Sequence, residues 1–136
     1  MAKGYDDNRA RLEQLSLLGK DLARRSKSKC ELSGESGVPL RVYEVEPVAS
    51  EPELSKCLLL SEAVYQQIQK PRSIVASVWR GVLAELIWSE FPAQQVMAHR
   101  LLTYIALVEP WAQEVLAEAL LEDEITRWSE SAPLAK

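Results

Sequence analysis

The chain has 136 residues, 47% of them hydrophobic, and a formal net charge of −4. That length suffices for one compact domain, or for a small module with a helical extension, and the apolar content argues against global disorder. No apolar run approaches the roughly 20 residues of a membrane span. The polar start lacks the apolar core of a secretory signal, and two cysteines cannot build a disulfide framework, so a soluble cytoplasmic protein is expected.

Residues 7–26 read as a first helix. Leu12, Leu15, Leu18 and Leu22 recur at helical spacing, Leu17 widens the stripe, and Asp6 or Asp7 is the expected cap. Arg24, Arg25, Lys27 and Lys29 gather at its end, where cations suit the helix dipole. Residues 30–60 lose that period. Ser33-Gly34, Ser36-Gly37 and Pro39 mark turns, Leu40 to Val45 is a short strand, and residues 47–56 form a loop. Cys57 to Leu60 is a short apolar run read as a second strand. Ser61 then caps a helix through Gln69, closed by Lys70-Pro71.

The remainder is helical. Residues 74–87 lack proline and place Val75, Val78, Val82 and Leu86 roughly on one face. Pro92 starts a helix to about Leu107, with Met97, Leu101 and Ile105 on one face. Pro110 opens another to Leu121, and Asp123 caps a last one through Ser129. The segmentation is therefore an N-terminal amphipathic helix (1–28), a small β unit (29–70), a helical region (71–130) and a disordered tail (131–136). The fold class is α+β.

Cys30 opens Cys-Glu-Leu-Ser-Gly (residues 30–34), where a zinc knuckle would read Cys-x-x-Cys-Gly. At the strand-to-helix corner, Ser61 and Val64 stand at the spacing of a second ligand pair. The unit is similar to a zinc ribbon or treble clef whose metal site has been dismantled. Several further segments resemble the PhnA family, zinc-ribbon proteins named after alkylphosphonate-uptake operons. They are Leu22 to Gly34, Val42 to Pro47, Trp79-Arg80, Ile87 to Ala98, Trp111 to Gln113, and Leu121 to Trp128. The likeness covers about residues 15–130. It implies ligand positions at Cys30, Ser33, Ser61 and Val64, of which one keeps a donor, and a chain shortened relative to members that carry a further β-rich domain.

Chemistry is sparse beyond this. Zinc lacks ligands, since serine is a poor donor, Val64 has none, and the sole histidine, His99, lies in a distant helix. Cys57 could join Cys30 only by distorting the corner, and whether the two thiols have a redox role stays open. A ββα-type metal nuclease needs a strand histidine as base, and residues 42–45 have none. Glu122-Asp123-Glu124 suits a helix start rather than a carboxylate pair, and no phosphate loop or hydrolase motif occurs. No cofactor or metal is expected.

Charge is uneven. Residues 1–29 hold eight Lys/Arg against four Asp/Glu, whereas residues 109–130 hold seven acids and only Arg127. These features lead to a non-enzymatic binding or adaptor protein that contacts another protein. The candidate surfaces are Arg24, Arg25, Lys27 and Lys29 at the end of the first helix, and His99 and Arg100 near tryptophans that serve either core or interface. The alternative is a nucleic-acid module using the same basic helix end, which an acidic chain as a whole opposes.

Overall fold

A computed structural model describes residues 2–134, with side chains from Asn8 onward. Among these residues six helices and a two-stranded antiparallel sheet make an α+β fold. Helix α1 (Ala2–Ser26) leads to β1 (Leu40–Glu44), β2 (Cys57–Ser61) and α2 (Glu62–Gln69). Then come α3 (Ala76–Leu86), α4 (Pro92–Ile105), α5 (Pro110–Glu118) and α6 (Asp123–Ser131). No helix among the described residues is long and apolar enough to cross a membrane. The expected cap at Asp6 or Asp7 lies outside the described side chains.

The strands pair from Leu40↔Ser61 to Glu44↔Cys57. All five residues of β2 are buried, because the sheet is covered on both faces. Cys57 and Leu59 face α1, where Leu22 is fully buried, and Leu58 and Leu60 face the helical half. A strand wrapped this way has no reason to alternate polar and apolar residues, which explains the unbroken run Cys57 to Leu60. Helix α1 lies close on the sheet at Gly19, where an added Cβ would meet Val42 Cγ2 at 3.3 Å. Arg11 pins the same helix to β1 through Glu44 and donates to the Ala49 carbonyl at 2.9 Å. Leu12 and Leu17 stay exposed, so the buried stripe is narrower than the leucine pattern implies.

Ser61 closes the strand and caps α2, its hydroxyl accepting the Val64 N–H at 3.2 Å. The helical half is centred on α4, whose Val96, Met97, Leu101, Leu102 and Ile105 are buried against α3, α5 and α6. Two helix ends come earlier than the sequence suggests, α4 at Ile105 and α5 at Glu118. Part of the expected tail is ordered as well. Ser131 belongs to α6 and Leu134 packs on the core, while Ala135 and Lys136 lie outside the described residues.

Helix α3 buries a face other than the one that carries Val75, Val78, Val82 and Leu86. Its interior face is Trp79, Leu83 and the following Ile87, whereas Val75 and Val78 are 56% and 71% exposed. The helix carries two apolar stripes, and the one with the tryptophan buries more area and places its indole N–H 2.8 Å from Gln67 Oε1. Val82 and Leu86 are only partly covered. Leu83→Ala should therefore cost about 2–5 kcal/mol. Val78→Ser should stay within about 0.5 kcal/mol. Urea denaturation of both variants distinguishes the two faces.

Candidate functional site

The turn Cys30 to Gly34 is held by its own backbone. The Cys30 N–H donates to the Glu35 carbonyl at 2.8 Å and the Gly34 N–H to the Cys30 carbonyl at 2.9 Å. Gly34 has φ +81°, which a glycine adopts without strain. The Ser33 N–H points at the Cys30 sulfur at 3.4 Å. Burial alone would push this thiol up. Hydrogen bonds from the Ser33 hydroxyl and from the main-chain N–H groups of Ser61, Ser33 and Leu32 outweigh it and hold the thiol below its ordinary value.

Cys30, Ser33, Ser61 and Val64 thus meet at one corner, with Cys30 and Val64 in the same buried cluster. Their donors do not fit zinc. The Ser61 hydroxyl is occupied by the Val64 N–H, that of Ser33 lies 3.3 Å from the Glu35 N–H, and Val64 offers only methyl groups. Among the described residues no three His, Cys, Asp or Glu side chains gather to hold a metal ion. Cys57 faces the opposite side of the sheet from Cys30, and both cysteines are free. Burial pushes the Cys57 thiol up to about 11. The conceivable thiol pair is therefore separated by the sheet itself.

The turn is fixed to the rest of the molecule through Glu31, which the sequence reading passed over. Its buried carboxylate accepts two bonds from Arg25, both 2.8 Å, and the Leu59 N–H at 2.9 Å. Its N–H donates to the Leu59 carbonyl at 2.7 Å, and its carbonyl accepts from Gln94 of α4 at 2.6 Å. Arg25 also reaches the Cys57 carbonyl at 3.1 Å and lies over the Phe91 ring at 4.9 Å. A single acid between the apolar positions Cys30 and Leu32 was the signal available.

The basic helix end divides accordingly. Arg25 is an internal clamp, whereas Arg24, Lys27 and Lys29 are exposed. Lys27 and Ser28 adopt left-handed backbone, φ 57° and 58°, and the Ser28 N–H closes the helix on the Ala23 carbonyl at 2.8 Å. This turn delivers Lys29 to the rim of a cleft of about 380 Å³. One wall is the Cys30 turn with Leu32, and the other is α3 with Val82 and Leu86. The exposed Val78 extends the stripe of that second wall, one helical turn before Val82.

Arg100 and His99 belong elsewhere. Arg100 is 3% exposed and is no surface contact: it donates to the carbonyls of Ser129 (3.0 Å), Trp128 (2.9 Å) and Glu46. It ties α4 to α6 and to the loop after β1. His99 is half-buried, its Nδ1 2.7 Å from the Ser129 hydroxyl oxygen. Burial holds the imidazole below its usual value, and the nearby Glu130 charge opposes that shift. Of the tryptophans, Trp79 is core and Trp88 is exposed. Trp111 and Trp128 pack at the core margin, and Arg80 lies 5.7 Å from the Trp111 ring centre.

No family model, curated protein or solved structure matches this chain.

The two thiols should titrate apart. In a Cys57→Ser variant, alkylation of Cys30 should show its midpoint below the ordinary thiol value of 9.0. In Cys30→Ser the midpoint of Cys57 should lie near 11. The pH dependence of iodoacetamide labelling, read by mass spectrometry, checks both.

Proposed function

We propose that this chain is a non-enzymatic adaptor of PhnA-like type, whose zinc knuckle has given way to hydrogen bonding and apolar packing. It acts by holding another protein in the cleft between the Cys30 turn and α3. The observation that carries this reading is the composition of the cleft. It sets the basic end of α1, with Lys29 at the rim, against the partly covered Val82 and Leu86, which the exposed Val78 extends beyond the cleft. The complementary occupant is an amphipathic protein segment with acidic side chains, apolar against the α3 stripe and paired with Lys29, Lys27 and Arg24. A cytoplasmic setting accords with two unpaired thiols.

Nucleic acid is the second reading, favoured only by the lysines and arginines. The one aromatic ring lining the cleft, Phe91, already carries the Arg25 guanidinium 4.9 Å from its centre, Glu85 lines the same cleft, and the net charge is −4. A protein segment uses both the basic rim and the apolar α3 wall, whereas a phosphate backbone uses only the basic groups.

The test is affinity capture from the native cells, followed by titration of the purified partner against variants. Val78→Asp and Lys29→Glu should each weaken binding by about tenfold or more, while Leu120→Asp, exposed beyond α5, leaves it unchanged. Equal affinity for all three variants would remove the cleft. Capture of nucleic acid that is lost steeply as salt rises, and is abolished by Lys29→Glu alone, would move the assignment to the second reading. The ancestry is tested separately. Ser33→Cys, Ser61→Cys and Val64→Cys together should create a site that takes up one zinc ion per chain and raises the melting temperature, as elemental analysis and calorimetry will show. A triple variant that folds and ignores zinc would refute the knuckle reading.

A further inference from the structure

The opposite end of α4 carries a second concavity. Tyr104, in its last turn, and Leu107, just beyond its end, line two cavities at once. One, of about 450 Å³, is completed by His99, Thr103, Glu130 and Leu134 on the side of α6. The other, of about 230 Å³, is completed by Ile74 and Ala76 before and at the start of α3, with Ile105 and Val108. The shared residues make them one apolar trough across the end of the helix. Leu107 and Val108 are 63% and 79% exposed, although the chain there does nothing but turn from α4 toward α5. Adjacent exposed aliphatic residues beside a concavity mark a contact surface rather than scattered surface apolarity.

The charge of the trough is one-sided. Arg100 lines it, but its guanidinium is consumed by the carbonyls of Ser129, Trp128 and Glu46. Among the described lining residues, that leaves Glu130 as the exposed ionised group. Residues 109–130, which include α5 and most of α6, hold seven acids and one arginine.

We propose that this trough is a second docking site, taking a basic amphipathic segment of another protein. Apolar side chains one helical turn apart enter the two cavities, and a lysine or arginine pairs with Glu130. A small amine fills one cavity and leaves Leu107 and Val108 uncovered, which is why a segment fits better. The site is distinct from the cleft at the Cys30 turn. Gln94 lines that cleft and Tyr104 lines the trough, so ten residues of α4 separate them by about 15 Å.

The probes are two synthetic helical peptides with identical leucines at i, i+3, i+4 and i+7, one carrying lysines elsewhere and the other glutamates. Titration calorimetry with the full chain at about 0.15 M salt limits bulk attraction. The lysine peptide should bind, and Leu107→Ser with Val108→Ser should weaken it by about tenfold or more. Glu130→Gln should weaken it severalfold, while Val78→Asp leaves it unchanged. Glu130→Gln stands alone if the double variant disturbs the fold by circular dichroism. The glutamate peptide reports on the cleft and should respond to Lys29→Glu and Val78→Asp but not to the Leu107, Val108 or Glu130 variants, so the two sites fail independently. No binding of the lysine peptide, or binding indifferent to Leu107, Val108 and Glu130, would overturn the proposal. So would n-hexylamine binding in its place.

Discussion

The ion pair between Arg25 and Glu31 is the interaction on which the arrangement of the other parts depends. It joins the end of α1 to the Cys30 turn, and through Leu59 and Cys57 it joins both to β2. Gln94 adds α4 through the Glu31 carbonyl. Four chain segments therefore converge on one carboxylate and its residue. A structural metal ion performs the same task by cross-linking ligands from separate segments. In the proposed descent from a zinc knuckle, Glu31 takes over that task within a residue of the former ligand position. The exchange alters the energetics. A bound metal contributes folding free energy outright, whereas a buried pair returns little net stability and chiefly fixes geometry. The stabilisation has to come from packing, and the sheet supplies it.

Two strands alone are marginal in water. Here β2 is enclosed by α1 on one face and the helical half on the other, so each of its side chains loses its water contact. That enclosure also accounts for the distance between the two thiols. Cys57 sits in the dry layer under α1, where a thiolate is disfavoured. Cys30 sits at a turn whose N–H groups converge on the sulfur. One sheet thus separates two opposite cysteine environments.

Much of this was legible in the sequence because local chemistry decided it. Ser61 followed by Glu62, and Pro92 and Pro110 at helix starts, are backbone constraints that act within a turn. The apolar run at Cys57 was legible for a different reason, since a strand with no polar face has to be buried twice. What stayed illegible required tertiary information. Helix α3 has two apolar stripes of similar length, and only the neighbours Gln67 and α4 select Trp79 and Leu83. Arg100 looked like a surface cation because nothing local shows three carbonyls of distant segments meeting its guanidinium. Glu31 was silent for the same reason, its partners lying six and 28 residues away.

The stripe left uncovered on α3 is the physical counterpart of that ambiguity. A helix that could bury either face buries one and leaves the other as a ready contact surface, here beside the basic end of α1. Helix α4 sets how the two proposed surfaces relate. It is buried along most of its length and is locked at Arg100 to α6 and to the loop after β1. Such an element is a spacer rather than a switch, since bending it would break packing and carbonyl bonds together. Partners of opposite charge at its two ends are therefore joined by proximity alone. The gain from holding them about 15 Å apart on a rigid rod is one of effective concentration, without any change of shape in the chain between.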